Sequence, residues 1–181
     1  MLPPGHFAAG YLTAKAVLHF SHQAFTSSQQ SSLILWGTIF GAIPDVDMAY
    51  SFFRERGYAL IGDEKPNHRR YITHAPVLWF ILSLGIYFLS ADVYHKYIGL
   101  MLLFGTLSHF ILDSFDYGIM WLWPLNKKVF SFRNTGKDLT VVHESGNIVV
   151  YFCRFLNQYR RWLTFYLEVL IIISALAVSF K

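Results

Sequence analysis

The chain has 181 residues, of which 54% are hydrophobic, 18% aromatic and only 14% charged, a balance outside globular norms that points to a membrane class. Its net charge of +4 is modest, so the distribution of charge matters more than its sum. The single Cys153 excludes an internal disulfide and a cysteine-rich zinc site.

The opening MLPPGHF lacks a basic n-region, and no small-residue cleavage signal follows, so the N-terminus reads as mature protein. Residues 7–20 form a first apolar stretch, interrupted by Lys15 and His19. Lys15, His19 and His22 follow at i, i+4 and i+7, a helical stripe that suits interhelical packing or snorkelling. The uncharged TSSQQSS reads as a turn, and residues 33–43 as a second helix. Residues 75–91 and 98–112 give a third and fourth, and 162–180 a fifth. Only the last comfortably matches the roughly 20 residues that a bilayer core asks for; the others need polar flanks, tilt or local thinning. Before it, Ile148, Phe152, Phe155, Tyr159 and Trp162 recur at steps of four and three, predicting an interfacial amphipathic helix. Residues 129–142 are read as a small hairpin.

The expected fold class is all-α: a multi-span transmembrane bundle of about five helices in one membrane-embedded domain. Metal-site helices occupy 5–124, a cytoplasmic loop with the interfacial helix 125–161, and a C-terminal span 162–180. With five alternating spans and the N-terminus inside, loops 48–73 and 114–161 carry 12 of the 15 Lys and Arg residues. That is the positive-inside bias. It explains the basic inner face without nucleic acid, and no aromatic-basic recognition motif is present. Trp121 and Trp123 suit the headgroup level as anchors.

The same alternation sends His6, Asp45, Asp47, His68, His74, His109, Asp113 and Asp116 to one inner face. His109 and Asp113 are four apart, on one side of a helix, able to grip one ion. PDVD at 44–47 sets two carboxylates two residues apart. Singly, HxxxD is a common accident of helices and PDVD a turn with a helix cap; their joint arrival on one face argues for a site. Imidazole with carboxylate and no thiolate suits Zn²⁺, Mn²⁺ or Fe²⁺, and ionisable groups this close to a bilayer core point to function.

GHFAAGY at 5–11, IPDVD at 43–47, HRRYITHA at 68–75 and LSHFILDSFDYGIMWLWP at 107–124 resemble, in order, the motifs of the YdjM-like family of inner-membrane metal-dependent hydrolases. The resemblance implies a multi-span helical protein with metal ligands His6, Asp45, His74, His109 and Asp113, Zn²⁺ foremost, as one or two ions. Asp47 and His68 match motif positions too. The chain departs from the family pattern where His68 and His74 stand six apart instead of five, which sets His68 off the metal to hydrogen-bond a ligand. Ala75 also replaces a Ser, and Asp116 stands where Thr is usual, as a possible extra carboxylate. A fainter similarity in the all-helical His/Asp site is to zinc-dependent phospholipase C.

The expected function is hydrolysis of a lipid or amphiphilic phosphoester at the cytoplasmic face of the inner membrane by a metal-activated water. Asp47 is the expected general base, Asp45 or Asp113 a bridge between two metals, and Arg69 with Arg70 a phosphate holder. Glu168, six residues into the last span, is a further group that can reach the site. The alternative is a non-catalytic metal-binding membrane protein: a carrier, a sensor, or an adaptor binding a cytoplasmic regulator through loop 114–161. The family's link to a repressor protein motivates the adaptor.

Overall fold

A computed structural model of the chain describes residues 1–47, 72–115, 118–133 and 148–180, the side chains of 148–152 and 155 excepted. These residues contain six α-helices: α1 Pro3–His19, α2 Ser27–Ala42, α3 Pro76–Leu89, α4 Val93–Asp113, α5 Ile148–Tyr159 and α6 Leu163–Ser179. Short 3₁₀ turns follow α2 at Ile43–Asp45 and precede α3 at Ile72–His74. No named strand occurs among the described residues; Ile119 and Phe130 form one isolated antiparallel bridge. That bridge joins Phe130 to a residue outside the hairpin expected at 129–142, whose part from 134 onward lies outside the described residues.

Local chemistry explains the boundaries. Pro3 and Pro4 open α1, where a missing N–H costs nothing. TSSQQSS is not a free turn. Thr26 accepts from the Gln29 backbone while the Gln29 side chain returns to Thr26, and this reciprocal capping box starts α2 six residues earlier than hydropathy suggests. His22 lies beyond the end of α1, so the Lys15–His19–His22 stripe does not persist as a helix face. Asp92 caps α4 through the His95 backbone N–H.

At the centre stands α4, packed against α1, α2 and α3, while α6 packs on α1. Its buried positions Leu102, Thr106, His109 and Asp113 recur at three and four residues, one inward stripe. The α1–α2 crossing is unusually close. A Cβ on Gly10 would lie 2.4 Å from the Gly37 carbonyl oxygen, and one on Gly41 would lie 2.5 Å from that of His6. Gly37 and Gly41 form a GxxxG pair, the pattern that lets helices touch backbone to backbone in membranes. Away from these glycines, side-chain bonds Ser21–Tyr97 and Ser32–Tyr94, both 2.8 Å, tie the segment just after α1, and α2, to α4.

Among the described residues, α4 alone is long and apolar enough to cross a membrane by length and composition, with α3 and α6 as shorter apolar helices. Both shorter helices turn large apolar side chains outward: Phe80, Ile81 and Phe88 from α3, Leu170, Ile173 and Leu176 from α6. Past α4 stands Gly118, whose φ of +84° favours glycine. Its N–H bonds the Asp113 carbonyl at 3.0 Å, closing the helix end that carries the site.

Candidate metal centre

Four elements converge at this end. His6 comes from the first turns of α1, Asp45 from the 3₁₀ turn after α2, Asp47 two residues on, His74 from the turn before α3, and His109 with Asp113 from the last turns of α4. His6, His74, His109 and Asp113 are fully buried, and Asp47 nearly so. One ligand atom from each of Asp45, His74, His109 and Asp113 lies within 4.8 Å of the other three.

The spacing fits a metal. Four ligands about 2.0–2.1 Å from a tetrahedral zinc lie roughly 3.3–3.4 Å from one another. Here His74 Nε2 is 3.4 Å from Asp45 Oδ1, and His109 Nε2 is 3.7 Å from Asp45 Oδ1 and 3.8 Å from Asp113 Oδ2. The His109 distances are too long for direct hydrogen bonds, and its Nε2 is buried with no hydrogen-bond partner among the described residues. His6 extends the cluster: its Nε2 is 3.2 Å from Asp113 Oδ1, and its ring stacks on His109 at 3.8 Å. The Met1 α-amino group also reaches Asp113 Oδ1, at 2.8 Å.

Partners behind the rings orient two of the imidazoles. His109 Nδ1 meets the Gly41 carbonyl at 2.9 Å, an acceptor only, so Nδ1 carries the proton and Nε2 turns to the cluster. His74 Nδ1 lies 2.7 Å from Asp47 Oδ2, which the Thr73 hydroxyl also bonds. That is a carboxylate–histidine arrangement of the kind that fixes metal-binding rings. Asp47→Asn is therefore expected to weaken metal affinity by about 10–100-fold with the fold retained. Unchanged affinity in a metal titration of the detergent-purified variant would refute this orienting role.

Charge follows from the same contacts. Burial opposes protonation of His74, but Asp45 and Asp47 outweigh it and raise its pKa to about 8. Burial likewise opposes the Asp45 carboxylate, yet the His74 hydrogen bond, with the facing His109 and His6 rings, holds it below the usual carboxylate range. In the metal-free protein the raised His74 value adds stability that is complete below its ordinary 6.5 and is lost as pH rises through about 8. A metal-free sample should therefore lose stability on the order of 1–2 kcal/mol between pH ~6 and pH ~9. A melting profile rising over that interval would contradict it.

His68, Arg69, Arg70 and Asp116 lie outside the described residues. Of the predicted ligands, His6, Asp45, His74, His109 and Asp113 come together, with Asp47 beside His74. Thr73 and the Gly41 carbonyl were not anticipated. The GxxxG spacing of Gly37 and Gly41 was the available signal for the second; nothing local marks the first. Glu168 meets the backbone of α1, with its oxygens on the Leu2 and Gly5 N–H groups.

A family model described as YdjM inner membrane protein matches residues 1–181, the whole chain. No curated protein and no solved structure matches.

Proposed function

The chain belongs to the YdjM inner membrane protein family, and from that premise we propose that it is a membrane-embedded metal-dependent hydrolase acting on a phosphoester of a lipid or other amphiphile. The observation that carries this reading is the buried convergence of Asp45, His74, His109 and Asp113 at metal-ligand spacing. The outward apolar faces of α3 and α6 support a membrane setting for it. We take α4 as one span and α3 and α6 as further spans. At about 21 Å for 14 residues and about 26 Å for 17, the latter two call for bilayer thinning or polar flanks. Charge distribution supports a cytoplasmic position for the site.

A divalent ion held there, Zn²⁺ foremost with Mn²⁺ or Fe²⁺ as alternatives, supplies Lewis acidity and lowers the pKa of water to about 7. The side chains do the rest. Asp47 keeps Oδ2 on His74 while its Oδ1 is buried without a hydrogen-bond partner among the described residues; that oxygen is the assigned proton acceptor. Asp113 has one oxygen toward His6 and the other toward His109, which supports a bridging role if two ions bind. Asp45, with 10% of its side chain exposed where His74, His109 and Asp113 show none, is assigned to the side of substrate entry. Arg69 and Arg70 are assigned to the substrate phosphate, and His68 to a hydrogen bond with the ligand.

The test is detergent-purified protein, assayed against lipid phosphoesters with and without added Zn²⁺ or Mn²⁺. Turnover that chelation abolishes and metal restores is the expected result; hydrolysis indifferent to chelation would end this reading. The near-complete burial of the cluster favours one second reading, because closed sites more often hold a metal than use it. A non-catalytic carrier, sensor or adaptor would bind the ion stoichiometrically and turn nothing over.

A further inference from the structure

Three histidines converge on the cluster, but only two have a partner behind the ring. His109 is fixed by the Gly41 carbonyl and His74 by Asp47. Neither ring nitrogen of His6 has a hydrogen-bond partner among the described residues. Apart from the 3.2 Å approach of Nε2 to Asp113 on the cluster side, its position comes from its backbone and from stacking on His109. The backbone at that point is the first turn of α1, which lacks both a side-chain cap and any acidic residue. Pro3 and Pro4 carry no N–H, so Gly5 is the first residue of α1 that can be held by a donor bond.

The missing cap arrives from the other end of the chain. Glu168 is only 4% exposed, on an α6 otherwise made almost wholly of apolar residues. A carboxylate in such a helix is costly without partners. It finds three: the Gly5 N–H at 3.2 Å, the Leu2 N–H at 3.3 Å and the Tyr159 hydroxyl from the end of α5. Gly5 shares its N–H with the Leu2 carbonyl at 3.1 Å. Negative charge at a helix N-terminus is favoured by the helix dipole. The approach is close enough to dictate the residue before His6: a Cβ on Gly5 would fall 2.7 Å from Glu168 Cγ. The Gly5–His6 pair is thus a docking surface for the carboxylate followed at once by a ring of the cluster.

We infer that Glu168 is a positioning residue for the metal centre, holding the first turn of α1 so that His6 meets Asp113 and His109. This rests on the metal reading above. Tyr159 extends the hold to α5, so the C-terminal pair of helices contributes to the centre without supplying a ligand. A residue that merely glued α6 to α1 would lower stability but would act on metal affinity alike whether or not His6 is present.

That difference sets the experiment, a Co²⁺ titration of detergent-purified protein followed by visible absorption. Glu168→Ala should weaken Co²⁺ binding by about tenfold, the lower end of what loss of an orienting partner costs, and alter the spectrum. In a His6→Ala background the same substitution should have no further effect on affinity, a non-additive cycle. Glu168→Gln, which keeps one acceptor oxygen, should recover part of the loss. Thr164→Val, a buried change one turn away on α6, should leave Co²⁺ binding unchanged. If Glu168→Ala does not fold, Glu168→Gln and Tyr159→Phe carry the same cycle. Wild-type affinity in the folded Glu168 variants, or equal losses with and without His6, would overturn the inference while leaving the metal reading intact. Wild-type protein that takes up no Co²⁺ would remove both.

Discussion

Replacing His109 with alanine is expected to abolish stoichiometric metal binding, the largest single effect at the cluster. Its Nε2 faces two carboxylates, Asp45 and Asp113, at distances that leave room for an ion and are too long for direct bonds. The Gly41 carbonyl fixes its other nitrogen, so no rotation of a neighbour can replace it. Losing this ring should cost more than the 10–100-fold typical of an outer partner. It also leaves a cavity where a fully buried ring stacked on His6, so the metal-free variant should be less stable than the metal-free parent. A readout independent of activity is available. Metal at a hundredfold above its Kd stabilises the form that binds it by about 2.7 kcal/mol. For a chain of this size that corresponds to a rise of roughly 5–10 °C in melting temperature. Wild type should show this rise on adding Zn²⁺, and the His109→Ala variant should show none. A variant that retains one ion per chain and the full thermal response would mean that the cluster is not where metal binds.

Much of this arrangement was legible because it follows from local periodicity and alternation of direction. His109 and Asp113 share a helix face by spacing alone. Asp45 and His74 each stand beside an apolar helix, so a helical hairpin returns them to the same end. Helix limits were less legible, for a specific reason. Ser27 to Ser32 are polar, so hydropathy reads them as a turn, whereas the Thr26–Gln29 capping box makes them helix. Hydropathy reports where a segment can be buried; capping reports where it begins. The contacts behind the rings were least legible. Asp47 reads equally as base, ligand or cap from PDVD, and only its 2.7 Å approach to His74 identifies an orienting contact. Glu168 stands more than 160 residues from the Leu2 and Gly5 N–H groups that it accepts from. No periodicity links such distant positions; the docking of α6 against α1 does.

The second large effect concerns packing that the chemistry depends on. Gly41→Ala and Gly85→Ala are the same substitution in helices, and by intrinsic propensity each should stabilise by roughly 0.5–1 kcal/mol. Their surroundings differ. A Cβ on Gly85 meets nothing within 4 Å, whereas one on Gly41 would sit 2.5 Å from the His6 carbonyl oxygen and 2.8 Å from Gly10 Cα. Those are backbone atoms at a helix crossing, and they cannot turn aside as the tip of a side chain would. Gly85→Ala should therefore be neutral or slightly stabilising. Gly41→Ala should cost about 1–3 kcal/mol or more, the range for overpacking a tight core. It should also carry a second penalty that bulk alone does not produce. Separating α1 from α2 moves His6, whose carbonyl receives the clash, and moves the Gly41 carbonyl that orients His109. Metal affinity should then fall together with stability, and added Zn²⁺ should restore less of the melting temperature than it does in the Gly85 variant. Measuring thermal unfolding in detergent with and without Zn²⁺ for both variants separates the cases. Equal stability of the two would show that the α1–α2 crossing is not as tight as these distances require. A Gly41 variant that is destabilised but binds metal as tightly as the parent would show that the crossing shapes the bundle without setting the geometry of the centre.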